Sequence, residues 1–433
     1  MIIWRVLPMC IGITFKINNY KQMKLFKKIG FILASVGPGL FLVGYNIGTG
    51  SVTSMASAGA NYGMSLSWAV LISCIFTYIL IVTFGQYTLV TGKSALQSFK
   101  ENIGKGWAQV VLWMLIISEI VGSIGVMAII TQVINEWSKP LTASGEGFNT
   151  IIIAVFIAGF MMLLLFNGKY SIIEKILVVF VTLMGLSFVL TSFMVITDPY
   201  EVIKGLIPNI PKEANAGLII AGMIGTTMGG VLYVVRSITV KEKKWNISHL
   251  KLEKRDAKVS VILMFVLSAA IIAAAAGTLY PKGLHINNAI DMVKLLEPIA
   301  GRFAVSIFVA GIVAAGLSSL FPHYMLVPLL LADYHNKPLN LTTTQNRLIV
   351  VFYASLGLFV PVFGGRPVVV MIASQALAII GTPLVLILMW ILINRKKDLG
   401  KYSASISKNI IFGVIVLFTV YMAILGIVGL IDV

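Results

Sequence analysis

The sequence predicts an all-α membrane protein with about eleven transmembrane helices. Of its 433 residues, 58% are apolar and only 11% are charged, and the mean hydropathy is +0.96. A soluble domain carries roughly 25% charged residues. Apolar stretches near or above the ~20 residues that a spanning helix needs recur along nearly the whole chain. The composition therefore favours one long membrane domain and argues against a chain of soluble domains.

The positions of these apolar stretches give the expected spans. They lie at about residues 30–62, 64–90, 107–134, 148–166, 172–197, 215–239, 258–279, 300–331, 348–363, 368–394 and 409–431. With the N-terminus in the cytoplasm, most of the 33 Lys and Arg residues fall in cytoplasmic segments. The positive-inside rule then predicts a C-terminus on the outside. The formal charge of +17 follows from this topology and from attraction to anionic lipid, so nucleic-acid binding is not expected.

The domain prediction is simple. Residues 1–29 form an N-terminal cytoplasmic segment, and residues 30–433 form a single transmembrane domain. A short basic leader, "MKLFKKIG", starts at Met23, so we expect residues 1–22 to be an upstream misassignment of the start codon, with a flexible or interfacial arm as the alternative. The two cysteines give no disulfide framework. The sequence contains no HExxH, Walker A or GxSxG motif, so it predicts neither an enzyme nor a cofactor.

Glycines interrupt two of the expected spans at mid-membrane depth. The first contains "YNIGTGSVT" at residues 45–53, and the sixth contains "GMIGTTMGGVLYVVRS" at residues 222–237. A glycine costs about 1 kcal/mol in a helix interior relative to alanine. Non-helical backbone at that depth is tolerated only where it lines a cavity or is buried in protein. The glycines therefore indicate breaks in both helices.

The two interrupted spans are five apart, so they cross the bilayer in opposite directions. Matched interruptions in two halves of a chain indicate a transporter built from inverted repeats, with its substrate site at the breaks. The unwound stretches would supply free carbonyl oxygens at the midplane. Close helix packing through small residues is the alternative explanation for the glycines.

Six short motifs occur in a characteristic order and spacing. They are "GPG" (37–39), "AGANYG" (58–63), "SEIVG" (118–122), "GKYSIIEK" (168–175), "AAGLSS" (314–319) and "SQALAIIGTP" (374–383). This pattern resembles the Nramp (natural resistance-associated macrophage protein) family of proton-coupled divalent-metal transporters, and it covers nearly the whole chain. The resemblance implies a LeuT-type inverted repeat of five plus five helices with one more, in which helices 1 and 6 are broken.

This chain departs from the family at the metal site. The register of "AGANYG" places the family's metal-binding Asp and Asn on Gly48 and Ser51. The family's Met falls on Met228, but the Pro and His after it fall on Gly229 and Gly230. The resemblance therefore implies a divergent member of the family that lacks the usual metal-binding Asp and Asn of helix 1.

The predicted substrate site combines the two breaks with an amide from the tenth span. Its residues are Gly48, Thr49, Ser51, Gly225, Thr226, Met228 and Gln375. Hydroxyl, amide and carbonyl oxygens suit a hard divalent cation, and Mg²⁺ usually keeps several of its waters. Met228 offers one soft sulfur, although core packing is its alternative role.

Glu119 is the one acidic residue deep in an expected span. A charge at the bilayer centre costs about 2.5–3.5 kcal/mol on insertion scales and often marks an ion or proton route. The sequence therefore predicts a proton route through Glu119, with a purely structural carboxyl as the alternative. An Arg of the family's proton route falls on Val351. His323 has no other candidate ligand near it at metal-site spacing.

The sequence thus predicts a carrier of divalent cations, with proton coupling, that works by alternating access. The alternative is a LeuT-type carrier of a neutral or anionic small solute, with Na⁺ coupling through Ser318 and Ser319. A receptor or scaffold without transport activity is a third possibility. The expected partners are the substrate and the lipid bilayer, a monomer is the simplest assembly, and a bacterial-type inner or plasma membrane is the expected location.

Overall fold

The computed structural model describes residues 48–167, 170–195, 199–212, 215–295 and 304–431. The predicted N-terminal segment, the start at Met23 and the first half of the first span lie outside the described residues. The same is true of the motif at residues 37–39.

The described residues form helices at all eleven predicted positions. Uninterrupted helices form the second, third, fourth, fifth, seventh, eighth and eleventh spans: Ser67–Thr91, Lys105–Ser138, Thr150–Asn167, Tyr170–Val195, Leu250–Thr278, Ala304–Tyr334 and Ile406–Ile431. The described half of the first span is Thr49–Tyr62. Among the described residues, nine helical stretches have the length and composition of a membrane span, and they cover every predicted span except the first and fifth.

Within the described ranges, three spans consist of two helices each. They are Ala216–Met228 with Gly230–Glu242 (the sixth), Thr344–Leu356 with Phe359–Phe363 (the ninth), and Pro367–Ile380 with Thr382–Ile393 (the tenth). Of these three interruptions, the sequence predicts only that of the sixth span. Short helices that were not predicted connect spans, among them Ala95–Asn102, which begins where the Ser94 hydroxyl accepts a hydrogen bond from the backbone N–H of Gln97.

Local chemistry explains several helix ends. The second span ends at Gly92, whose φ of 69° lies in the left-handed region and whose N–H bonds to the Thr88 carbonyl. Glycine adopts this conformation without the steric cost that a Cβ brings. The tenth span begins with Pro367, which suits the first turn of a helix because that turn needs no backbone donor.

Helix packing buries the sixth span and the described half of the first. The first half of the sixth span packs against the tenth, the third packs against the eighth, and the described half of the first packs against the seventh. Gly225 permits the closest of these approaches, since a Cβ there would lie 1.8 Å from the Gln375 carbonyl oxygen. Close packing, the alternative role of the glycines, is therefore present at Gly225.

A buried ion cluster ties the second half of the sixth span to the seventh. The Arg236 guanidinium donates two hydrogen bonds to Glu253, at 2.9 and 2.6 Å, and one to Asp256 at 2.6 Å. All three side chains are fully buried. Gly85 of the second span makes room for them, because a Cβ there would lie 1.9 Å from Glu253 Oε1.

We expect Arg236→Met to destabilise the protein strongly. Removing one partner of a buried ion cluster leaves uncompensated charge and costs about 3–5 kcal/mol. The melting temperature of the purified protein in detergent measures the effect. Lys93→Met is the matched control, because the Lys93–Glu101 pair is about half exposed and such pairs contribute about 0–1 kcal/mol. Equal melting temperatures for the two variants would contradict this expectation.

Candidate substrate site

The sixth span breaks at a single residue. One helix ends at Met228 and the next begins at Gly230, while Gly229 between them is extended, with φ −58° and ψ 134°. Any residue can adopt these angles, so conformational freedom does not explain the glycine. Lack of space explains the glycine, since a Cβ at Gly229 would lie 3.0 Å from the Gly225 carbonyl oxygen. The predicted break in the sixth span is confirmed.

Neighbouring spans satisfy the carbonyls that the break releases. The Thr77 hydroxyl of the second span donates to the Thr227 carbonyl at 2.9 Å. The Thr382 hydroxyl of the tenth span donates to the Met228 carbonyl at 3.1 Å. The prediction of free carbonyl oxygens is therefore wrong for these two groups. Buried carbonyls in a membrane protein require such partners because no water reaches them.

The described half of the first span also has an extended glycine next to a helix end. Gly48 is extended, with φ −112° and ψ −164°, and the helix begins at Thr49. The Gly48 carbonyl accepts the first helical hydrogen bond, from the N–H of Val52 at 3.2 Å. A helix N-terminus therefore starts at the position that the sequence predicts for the break.

Five spans meet near Gly48 and Gly229, and a cavity lies between them. Its lining comes from the first span (Gly48, Gly50, Ser51), the third (Ser118, Glu119, Gly122, Val126), the sixth (Gly225, Thr226, Gly229, Val231, Leu232), the eighth (Ser319, His323) and the tenth (Met371, Ser374, Gln375, Ala378). It offers about 40 Å³ to the centres of water molecules. One water needs roughly 10–15 Å³ of such space, so the cavity has room for a few waters or a partly hydrated ion.

The lining is polar but carries little charge. Glu119 is its one carboxylate, His323 its one imidazole and Gln375 its one carboxamide, and the other polar side chains are hydroxyls. Within the described part of the chain, no group of three or more His, Cys, Asp or Glu residues could hold a metal ion. A cation in this cavity would therefore be held mostly by neutral oxygens and water.

Most of the predicted site residues line the cavity together. They are Gly48, Ser51, Gly225, Thr226 and Gln375, and the predicted proton carrier Glu119 joins them.

Two predicted residues do not line the cavity, and four lining residues with polar side chains were not among the predicted site residues. Thr49 and Met228 are fully buried beside the cavity, so their roles as ligands stay predictions. The additional residues are Ser118, Ser319, Ser374 and His323. Each of the three serines lies in one of the matched motifs, and the sequence also predicts Ser319 as a Na⁺ ligand in the alternative carrier.

Glu119 and His323 form a buried pair across the cavity wall. The Glu119 Oε2 atom of the third span lies 2.7 Å from His323 Nδ1 of the eighth span. The two residues are only 1% and 6% exposed. Gly122 makes room for the imidazole, since a Cβ there would lie 2.9 Å from His323 Cε1. The Tyr353 hydroxyl donates to the Glu119 backbone carbonyl and connects this turn to the ninth span.

Proteins of known structure share this fold. A manganese transporter variant from Eremococcus coleocola superposes with a TM-score of 0.71 at 14% identity, over 92% of this chain and 86% of that one. Mhp1, a nucleobase-cation-symport-1 family transporter, gives a TM-score of 0.58 at 16% identity, over 92% and 91%. At such identities the likeness concerns the fold alone. It confirms the predicted LeuT-type arrangement of membrane helices.

Sequence relatives extend the comparison. The divalent metal cation transporter MntH of Listeria welshimeri is 26% identical over 318 residues, which are 69% of this chain and 67% of the relative. The protein of the same name from Caldanaerobacter subterraneus is 22% identical over 404 residues, 89% and 90% of the two chains. The sequence model described as natural resistance-associated macrophage protein-like matches residues 39–429. The chain therefore belongs to the Nramp family, and it is a membrane transporter rather than an enzyme, as its sequence predicts.

Proposed function

We propose that this protein carries divalent metal cations across a membrane by alternating access about the breaks at Gly48 and Gly229. The observation that carries the proposal is the cavity at both breaks, which is lined by hydroxyl and amide oxygens and by a single carboxylate. Family membership and relatives named as divalent metal cation transporters support it. A cavity with one negative group favours a cation over an anion of the same size.

The proposed binding mode differs from one built on several carboxylates. Glu119 supplies the charge, and Ser51, Thr226 and Gln375 supply neutral oxygens. Divalent cations such as Mg²⁺ and Ca²⁺ take oxygen ligands, and Mg²⁺ retains several of its waters. The cavity has room for a few waters, so we propose that the cation is carried partly hydrated.

A transport screen in proteoliposomes tests the proposal. The substrates are Mn²⁺, Mg²⁺, amino acids and small anions, each with and without H⁺ and Na⁺ gradients. We expect uptake of a divalent cation and no uptake of amino acids or anions. Uptake of a neutral or anionic solute alone would overturn the proposal in favour of the alternative carrier, and no uptake at all would favour a receptor or scaffold.

The proposal also covers the assembly, the orientation and the location of the protein. We propose a monomer with its N-terminus in the cytoplasm and its C-terminus outside, in a bacterial-type inner or plasma membrane. Protease accessibility of tags at the two termini in sealed vesicles measures the orientation.

The proton route through Glu119 stays a prediction. The expected result is that Glu119→Gln removes the pH dependence of uptake.

A further inference from the structure

We propose that an anionic phospholipid binds on the second span, between the seventh and eleventh spans, with its headgroup held by Lys254, Lys258 and Lys408. The proposal goes beyond the transport function and does not depend on which cation the protein carries. None of the three lysines lines the central cavity. The faces of the seventh span, a cation from the eleventh span and an exposed row on the second span support it.

The seventh span, Leu250–Thr278, has two different faces at its basic end. Glu253 and Asp256 are fully buried and bind Arg236, so their carboxylates point away from the opposite face. Lys254 and Lys258 are exposed on that opposite face. The helix therefore presents two cations outward while its acidic side chains are engaged inside the protein.

The exposed face continues along the helix as an apolar surface. Residues four apart lie on one face of a helix, and at this spacing Ile262 and Val266 follow Lys258, with 49% and 44% of their surface exposed. Exposed apolar side chains in a membrane span face lipid tails. At a rise of 1.5 Å per residue, Lys258 and Lys254 lie about 6 and 12 Å beyond Ile262. This is the depth of the lipid headgroups, outside the hydrocarbon core.

The eleventh span brings a third cation to the same place. Lys408 lies in its first turn and is half-buried, and its ammonium is close enough to Lys254 for the two charges to repel. The ion pairs among the described residues include none of the three lysines. Basic side chains gathered between membrane helices in this way bind anionic lipid headgroups.

The second span offers a surface for the acyl chains. It keeps a partly exposed row of side chains at four-residue spacing: Tyr78, Val82, Gln86 and Val90. On one side of this row, Gly85 lies against Glu253 of the seventh span. On the other side, Phe76 packs against Phe418 of the eleventh span, with ring centroids 5.2 Å apart. Helix geometry places the exposed row between these two contacts.

The apolar continuation favours a phospholipid over a free phosphate ion. Both anions would satisfy the lysines, whose ammonium groups bind phosphate as compact point charges. Only a phospholipid would also cover Ile262 and Val266 with its acyl chains. The lysines and the apolar residues lie on one row of one helix, so a single molecule can contact both.

Native mass spectrometry of the full-length protein tests the proposal. The protein is released from detergent micelles that contain equal amounts of phosphatidylglycerol and phosphatidylcholine with the same acyl chains. We expect the wild type to retain phosphatidylglycerol preferentially. The triple variant Lys254→Gln, Lys258→Gln, Lys408→Gln should lose at least about tenfold of this preference, because each lysine near a membrane surface contributes a factor of about five.

The matched control removes the same charge next to the site. Lys396, Lys397 and Lys401 are exposed in the connection before the eleventh span, and their triple replacement by glutamine should keep the wild-type preference. Equal retention of both lipids by the wild type, or equal losses in the two triple variants, would overturn the proposal. Displacement of the retained phosphatidylglycerol by excess inorganic phosphate would assign the lysines to a free anion and would also contradict it.

The melting temperature in detergent gives a second readout. A ligand that binds only the folded protein stabilises it, so phosphatidylglycerol should raise the melting temperature of the wild type more than that of the glutamine variant at Lys254, Lys258 and Lys408. Replacement of the same three lysines by arginine keeps their charge and should keep the rise. Loss of the rise in the arginine variant would show that charge is not what holds the lipid, and the proposal would fail.

Discussion

Gly229→Leu is expected to abolish cation uptake in proteoliposomes while the protein remains folded. The glycine lines the cavity, and a Cβ there would lie 3.4 Å from the Ala378 Cβ and 3.0 Å from the Gly225 carbonyl oxygen. A leucine side chain must therefore extend into the cavity or push the helices apart. Leucine also favours a continuous helix by about 1 kcal/mol over glycine. Gly48→Leu should act in the same way at the first span.

Gly159→Leu is the matched control for this experiment. Gly159 lies in the fourth span, and its added Cβ would meet nothing within 4 Å. The same gain in helix propensity there should leave uptake unchanged. Elution of each variant as a single peak in size-exclusion chromatography establishes folding. Normal uptake by Gly229→Leu would mean that this glycine only packs, and the alternating-access proposal would lose its hinge in the sixth span.

The spans and the sixth-span break could be predicted because they depend on local composition. A run of about 20 apolar residues crosses the bilayer whatever its neighbours are. Glycines close to threonines at mid-span, such as Gly225 and Gly229, do not favour an unbroken apolar helix. They therefore indicate the break in the sixth span. The interruption of the tenth span at Gly381 was missed, although Pro383 two residues later is a signal for it.

The chemistry at the break could not be predicted, because it depends on contacts between distant residues. The Thr227 and Met228 carbonyls are satisfied by Thr77 and Thr382, which are 150 and 154 residues away in the chain. A single sequence does not show which hydroxyl faces which carbonyl. The prediction of free carbonyls therefore failed, while the position of the break was correct.

The pairing of His323 with Glu119 was missed for the same reason. The two residues are 204 positions apart, so no ligand spacing within one helix reveals them. Glu119 drew attention because its charge is costly in a membrane. A lone His in an apolar span carries no comparable signal, and only the packing of the third span against the eighth identifies its partner.

Glu119→Gln is expected to weaken cation binding by about 10- to 100-fold, the usual effect of losing a side chain that supports a bound metal ion. Glutamine keeps the shape of the side chain, but it removes the one carboxyl group of the cavity lining. Calorimetric titration with Mn²⁺ measures the change. Glu136→Gln is the control on the same helix, because Glu136 is partly exposed, bonds to Lys139 and does not line the cavity. Wild-type affinity in Glu119→Gln would leave the carboxylate with a structural role.

The double variant Glu119→Gln with His323→Gln separates two ways in which the charge could act. If Glu119 acts by orienting His323, the double variant should bind Mn²⁺ no more weakly than His323→Gln alone, because the two residues form one unit. If the carboxylate and the imidazole contact the cation independently, the two losses should multiply. Residues in direct contact commonly show interaction energies of about 0.5–3 kcal/mol in such cycles, which calorimetry resolves. The 2.7 Å separation between the two side chains predicts coupling, and the charge proposed for Glu119 predicts a direct effect as well. We therefore expect the double variant to bind Mn²⁺ more weakly than His323→Gln alone, with losses that do not multiply.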